Sequence, residues 1–104
     1  MILNEKYVLH IPLFRHRDGY LEELEIDELL DGLIENLDCE SFYTSRVVSY
    51  YKSRFFDEML ITVFTNDDEV AKVFGEWFRA NNHVLGQEAF SYEHNHVLVI
   101  EKLR

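Results

Sequence analysis

Along Glu5–Phe14 (EKYVLHIPLF) the side chains alternate, with Tyr7, Leu9, Ile11 and Leu13 on one side and Val8, His10, Pro12 and Phe14 on the other. That period of two predicts a first strand, and Pro12, which has no N–H to donate, predicts an unpaired edge or a bulge near its end. Asp18-Gly19 then supplies turn chemistry. Beyond it the period changes. Ile26, Leu29, Leu30, Leu33, Ile34 and Leu37 recur at spacings of three and four, which predicts a helix over residues 24–37. SFYTSRVVSYYKS and MLITVFT are rich in β-branched and aromatic residues and predict an antiparallel pair of strands. In TNDDE, Thr65 or Asn66 can cap a second helix whose apolar stripe is Val70, Val73, Phe74, Trp77 and Phe78 and whose expected end is Asn81-Asn82. The final segment, QEAFSYEHNHVLVIEKL, fits either one long strand or a hairpin turning near His94-Asn95.

The expected order is β-α-β-β-α-β over a single α+β domain spanning residues 1–104. It resembles the ferredoxin-like split βαβ fold, a resemblance of element order alone. That fold implies an antiparallel sheet in the spatial order four, one, three, two, with both helices on one face and room for an extra C-terminal hairpin. Since it hosts many unrelated activities, it points to no function.

Composition narrows the classes. Hydrophobic residues make up 47% of the 104 and charged residues 29%, with a single proline, as in a globular protein rather than a disordered one. No apolar run is long enough to span a membrane, and the first residues, MILNEKYVLH, lack the pattern of a signal peptide, so the expected location is the cytoplasm, with no membrane partner. Cys39 is the only cysteine, which excludes an intrachain disulfide. Its neighbours Asp38 and Glu40 disfavour the thiolate a nucleophile needs.

NHVL occurs twice, at Asn82–Leu85 and Asn95–Leu98, and the second copy carries His94-x-His96. On a continuous strand these two histidines share a face, and His10 on a neighbouring strand could join them around zinc. The alternation opposes this, because His96 shares parity with Leu98 and Ile100 while His10 shares parity with Val8 and Phe14. In a hairpin both would belong to a solvated turn. His16 lies between two arginines that repel a cation, and His83 suits a helix C-terminus. We therefore expect no metal, no cofactor and no catalytic constellation: phosphate loops, nucleophile elbows, HExxH and paired cysteines are all missing from the sequence.

Charge is the clearest signal. The chain carries a net charge of −10, which argues against direct nucleic-acid binding. From Asp18 to Ser45 there are ten acidic residues and no Lys, Arg or His. Glu23, Asp27, Asp31, Glu35 and Asp38 form a ridge along the first helix, where several like charges four apart repel. Such a ridge reads as a docking face for a basic protein, as in nuclease inhibitors and immunity proteins. With both helices on one side, the other side of the sheet would expose an apolar set, and Val8, His10, Phe14, Tyr50 and Phe64 are its candidate dimer or ligand face. A homodimer packed sheet on sheet would cover it. The reading that follows is a non-enzymatic, homodimeric interaction protein. Its alternative is a ligand-binding or cofactorless enzymatic dimer with a pocket on the open sheet face, using His10, Tyr50, Trp77 or Asn95.

Overall fold

A computed structural model describes residues 1–103. The chain runs β1 (Glu5–Pro12), β2 (Phe14–Arg17), β3 (Tyr20–Glu23), α1 (Asp27–Asn36), β4 (Ser41–Tyr51), β5 (Arg54–Thr65), α2 (Val70–Leu85), β6 (Ala89–His94) and β7 (Val97–Lys102). β4-β5-β1-β6-β7 form a five-stranded antiparallel sheet, and β2-β3 form a separate two-stranded one. The expected four-stranded, ferredoxin-like β-α-β-β-α-β arrangement is thereby corrected to β-β-β-α-β-β-α-β-β. Two turns make the difference. Asp18 and Gly19 both take positive φ, as do Asn95 and His96, and two consecutive left-handed residues close a tight two-residue hairpin. The first turn folds residues 14–23 into β2-β3, and the second splits the C-terminal segment into β6 and β7.

The alternation of β1 positions the sheet. Tyr7, Leu9 and Ile11 are almost completely buried against the helices, with Ile61 and Val63 of β5 and Phe90 and Tyr92 of β6 on the same side. Leu30, Leu33 and Leu37 of the first helical region and Val70, Phe74, Trp77, Phe78 and Leu85 of the second complete one core, so both helices cover one face. Phe74 is its hub, with edge-on contacts to Phe78, Phe90 and Tyr92. The Trp77 indole N–H donates to the Leu29 carbonyl at 2.7 Å and fixes α2 against α1.

α1 is shorter than the stripe suggests and begins with Ile26 as a cap lacking a side-chain hydrogen bond. α2 starts later and ends later than expected. The Thr65 hydroxyl accepts from the Asp67 N–H and the Asp67 carboxylate from the Glu69 N–H, so these residues form turns ahead of the helix. At the far end the chain passes Asn81-Asn82 and stops at Gly86, which takes φ 62° and donates to the Asn82 carbonyl. Arg15 of β2 latches onto this end: its Nη1 donates to the Val84 carbonyl at 2.7 Å while its guanidinium pairs with Glu22. A cation thus meets the negative end of the α2 dipole and ties the small hairpin to the domain.

Candidate functional site

Because odd residues of β1 fill the core, its even residues must point to the open face of the sheet. His10 is one of them. The β1-β5 register sets it opposite Leu60 and sets Pro12 opposite Glu58, while the β1-β6 register sets Val8 opposite Glu93, with Ser91 two residues along. Three adjacent strands therefore deliver His10, Glu58, Ser91 and Glu93 to one place. His10 Nε2 lies 3.0 Å from Glu93 Oε2, and its Nδ1 lies 3.1 Å from Ser91 Oγ and 3.4 Å from Glu58 Oε2. That last contact has the distance of an ion pair without the alignment of a hydrogen bond, so the buried Glu58 Oε2 has no hydrogen-bond partner. The His10 side chain is only 18% exposed.

Two opposing effects act on the imidazole. Burial alone pushes its pKa down and is the largest single cause, but Glu58 and Glu93 together, through proximity and charge, outweigh it and raise the pKa above the ordinary 6.5. The cluster thus sets one imidazole, whose protonated form is favoured, between two acidic side chains, and the buried Glu58 Oε2 has no hydrogen-bond partner. Two acidic side chains to one imidazole suit a cationic rather than an anionic ligand. The adjoining cavity, bounded by Pro12, Phe78, Gln87 and Phe90, is about 40 Å³, room for little more than water, so any larger ligand must lie across the open sheet.

The second NHVL copy has a different role. His94 stacks on Tyr7 at 4.1 Å, and its Nε2 lies 2.8 Å from Glu5. Asn95 donates to the same carboxylate, accepts from the Lys6 N–H and donates its own N–H to the Lys6 carbonyl. These bonds, His94's first, hold the Glu5 carboxyl below its usual range. The motif is a clasp between the β6-β7 turn and the start of β1. His96 is exposed in that turn, and among the described residues no three His, Cys, Asp or Glu side chains form a group that could hold a metal. Burial, and after it Asp38, raises the Cys39 pKa, which leaves it a poor nucleophile.

Of the candidate face residues, Val8, His10 and Phe64 share the open side of the sheet; Phe14 lies in β2, and Tyr50 has the opposite parity, far out on β4. The acidic set divides similarly. Glu23 ends β3, Asp27, Asp31 and Glu35 follow one exposed line of α1, and Asp38 lies just past it. None of these five makes an ion pair among the described residues. Sequence reasoning passed over Glu58, Ser91 and Glu93, since only the strand registers reveal that they converge on His10.

A larger hollow lies on the far side of the molecule, between α1 and α2. It is an open groove of about 570 Å³ whose lining includes Glu28, Gly32, Val73, Glu76, Trp77 and Ala80. Its carboxylates are exposed, and no histidine, cysteine, serine or tyrosine stands beside them, so it lacks the proton-exchanging chemistry of the His10 cluster.

No family profile matches the chain, and no curated protein matches it either. Two solved structures share its fold. One is a phage SAM lyase in its apo state, with a TM-score of 0.60 at 10% identity over 96% of this chain and 90% of that one. The other is a phage SAM lyase in complex with S-methyl-5′-thioadenosine, with a TM-score of 0.57 at 12% identity over 94% of this chain and 88% of that one. Those fold-mates are enzymes, and this finding overturns the reading of a non-enzymatic interaction protein drawn from the acidic ridge.

Proposed function

We propose that this chain is an enzyme, a lyase acting on S-adenosylmethionine or a closely related sulfonium nucleoside, with its reacting site on the open sheet face around His10, Glu58 and Glu93. The observation that carries the reading is the carboxylate-flanked His10 on a fold shared with two solved structures of phage SAM lyase. Releasing S-methyl-5′-thioadenosine from S-adenosylmethionine breaks a carbon–sulfur bond, and the bonding electron pair passes to sulfur. The sulfonium becomes a neutral thioether, so the leaving group needs no acid. The protein's tasks are to hold a cation and, where the carbon fragment leaves by elimination, to take one proton. The two acidic side chains beside His10 meet the first requirement, and a carboxylate of the same pair, Glu58 or the more exposed Glu93, the second. Val8, Phe64 and their neighbours on the open face supply the apolar bed for the nucleoside. No helix among the described residues is long and apolar enough to cross a membrane. A cytoplasmic location, where the lone Cys39 stays reduced, suits a substrate of intracellular metabolism.

The test is to incubate the purified chain with S-adenosylmethionine and quantify S-methyl-5′-thioadenosine by chromatography. Catalytic release is expected, falling about 10²-fold or more in Glu58→Gln. No release above the spontaneous rate would overturn the activity. Equal release by Glu58→Gln and Glu93→Gln would overturn the site.

A further inference from the structure

The His10 ring is approached from three strand positions, and the registers say which. On β6, Val8 stands opposite Glu93 and Leu9 opposite Tyr92, so the next step along the pair brings Ser91 beside His10. On β5, Leu60 stands opposite His10, and Glu58 lies two residues away, opposite Pro12. The two acids therefore arrive diagonally from opposite sides of β1, and Ser91 arrives laterally. Each ring nitrogen has one near partner: Glu93 Oε2 at 3.0 Å from Nε2, and Ser91 Oγ at 3.1 Å from Nδ1. Glu58 Oε2 is 3.4 Å from the same Nδ1, buried and without a hydrogen bond. Hydroxyl and carboxylate thus compete for one nitrogen, and the hydroxyl holds it.

The two competitors are not equivalent. A serine hydroxyl both donates and accepts, whereas an ionised carboxylate only accepts. Against a hydroxyl, Nδ1 can lose its proton and stay hydrogen-bonded, because the hydroxyl then donates where it accepted before. Against an ionised carboxylate, a ring nitrogen keeps its proton or loses the bond, and Nε2 beside Glu93 is in that position. The ring therefore has one nitrogen that can give up a proton in place and one that retains it. Glu58 on β5 and Glu93 on β6 are the charged groups that act on the ring among the described residues.

We propose that Ser91 is the positioning residue of His10: its hydroxyl holds Nδ1, makes that nitrogen the one that exchanges a proton, and keeps the ring from pairing with Glu58. The exchange moves one proton between Nδ1 and a water or ligand, while Ser91 turns its O–H and neither gains nor loses a proton. The cavity of about 40 Å³ lined by His10, Glu58, Gln87 and Ser91 has room for such a water. Glu58 stays available to a cationic ligand on the open face. As a part in catalysis this rests on the reading of that face as the reacting site; as a property of the ring it rests on the geometry alone.

Histidine ¹⁵N–¹H correlation spectra recorded across pH test the proposal without substrate. Above its midpoint, the neutral wild-type His10 ring should carry its proton on Nε2. Ser91→Ala should free Nδ1 to pair with Glu58, so the midpoint should rise, while Ser91→Thr, which keeps the hydroxyl, should restore the wild-type tautomer and midpoint. In the assay for S-methyl-5′-thioadenosine release, Ser91→Ala should lower kcat by about 10-fold or more with little change in KM, and Ser91→Thr should recover most of it. A neutral wild-type ring protonated on Nδ1 overturns the proposal, and so does a Ser91→Ala midpoint that is unchanged or lower. An unchanged kcat in Ser91→Ala overturns its part in the reaction. A wild-type chain that releases no product defeats the lyase reading, while the tautomer and the midpoint still decide whether Ser91 holds the ring.

Discussion

At the scale of single residues, the difference between His10 and His94 lies in what surrounds a similar ion pair. Both imidazoles approach a carboxylate, His10 that of Glu93 at 3.0 Å and His94 that of Glu5 at 2.8 Å, but Glu5 also binds Asn95 in a clasp, whereas His10 meets a second acid, Glu58, whose buried Oε2 lies 3.4 Å away without a hydrogen-bond partner. Only the second arrangement has unused capacity for chemistry. His10 makes a direct prediction. Its pKa in the folded chain is raised above the ordinary 6.5 despite burial, so the folded state keeps a proton that the unfolded state releases as pH rises. The resulting stabilisation is fully present below 6.5 and is lost as pH climbs through the folded value. Followed by NMR, the His10 C2 proton should titrate above 6.5, and Glu93→Gln should bring its midpoint down. A wild-type midpoint at or below the ordinary value would mean that burial outweighs the carboxylates. His10 was legible as a candidate because strand parity alone places it on the open face. Its partners were not, because in a chain of twenty acidic residues nothing local distinguishes Glu58 and Glu93 from the rest.

At the scale of elements, periodicity revealed what faces inward, and turn residues decided how many elements there are. The alternation of Tyr7, Leu9 and Ile11 and the stripe of Val70, Phe74, Trp77 and Phe78 both map onto the core. The β4-β5 turn was invisible, since Lys52 and Ser53 both take positive φ without being the glycine or asparagine such turns favour. The segment RFFDE therefore read as a connection although it opens β5. His96 holds a similar conformation in the β6-β7 turn. Left-handed backbone at a residue with a Cβ costs about 1–2 kcal/mol, partly offset by the extra freedom glycine gives the unfolded chain. Ser53→Gly and His96→Gly should each stabilise the fold by up to about 1 kcal/mol, a rise of several degrees in Tm. A lower Tm in either variant would contradict the turn geometry. Arg15 makes the opposite prediction. Arg15→Leu removes its bonds to the Val84 carbonyl and to Glu22 and should cost about 1–3 kcal/mol in urea unfolding, with Arg15→Lys recovering only part, since an ammonium lacks the planar fork. An unchanged midpoint in Arg15→Leu would show that the latch carries no stability.

At the scale of the whole molecule, two surfaces divide the work. One face of the sheet is sealed by the helices, and the other carries His10 between two carboxylates. The uneven charge along the sequence first suggested a foreign basic partner, because an acidic stretch is legible in sequence whereas the convergence of three strands on His10 is not. The central claim is that a sulfonium nucleoside occupies the open face at His10. The most direct measurement is an NMR titration with S-methyl-5′-thioadenosine, recording the histidine side chains and the Trp77 indole together. The account predicts saturable shifts at His10, smaller or no shifts at His94 and His96, and none at Trp77, which lies on the far side in the helical groove. Shifts confined to Trp77, or no saturable shift at His10, would contradict it.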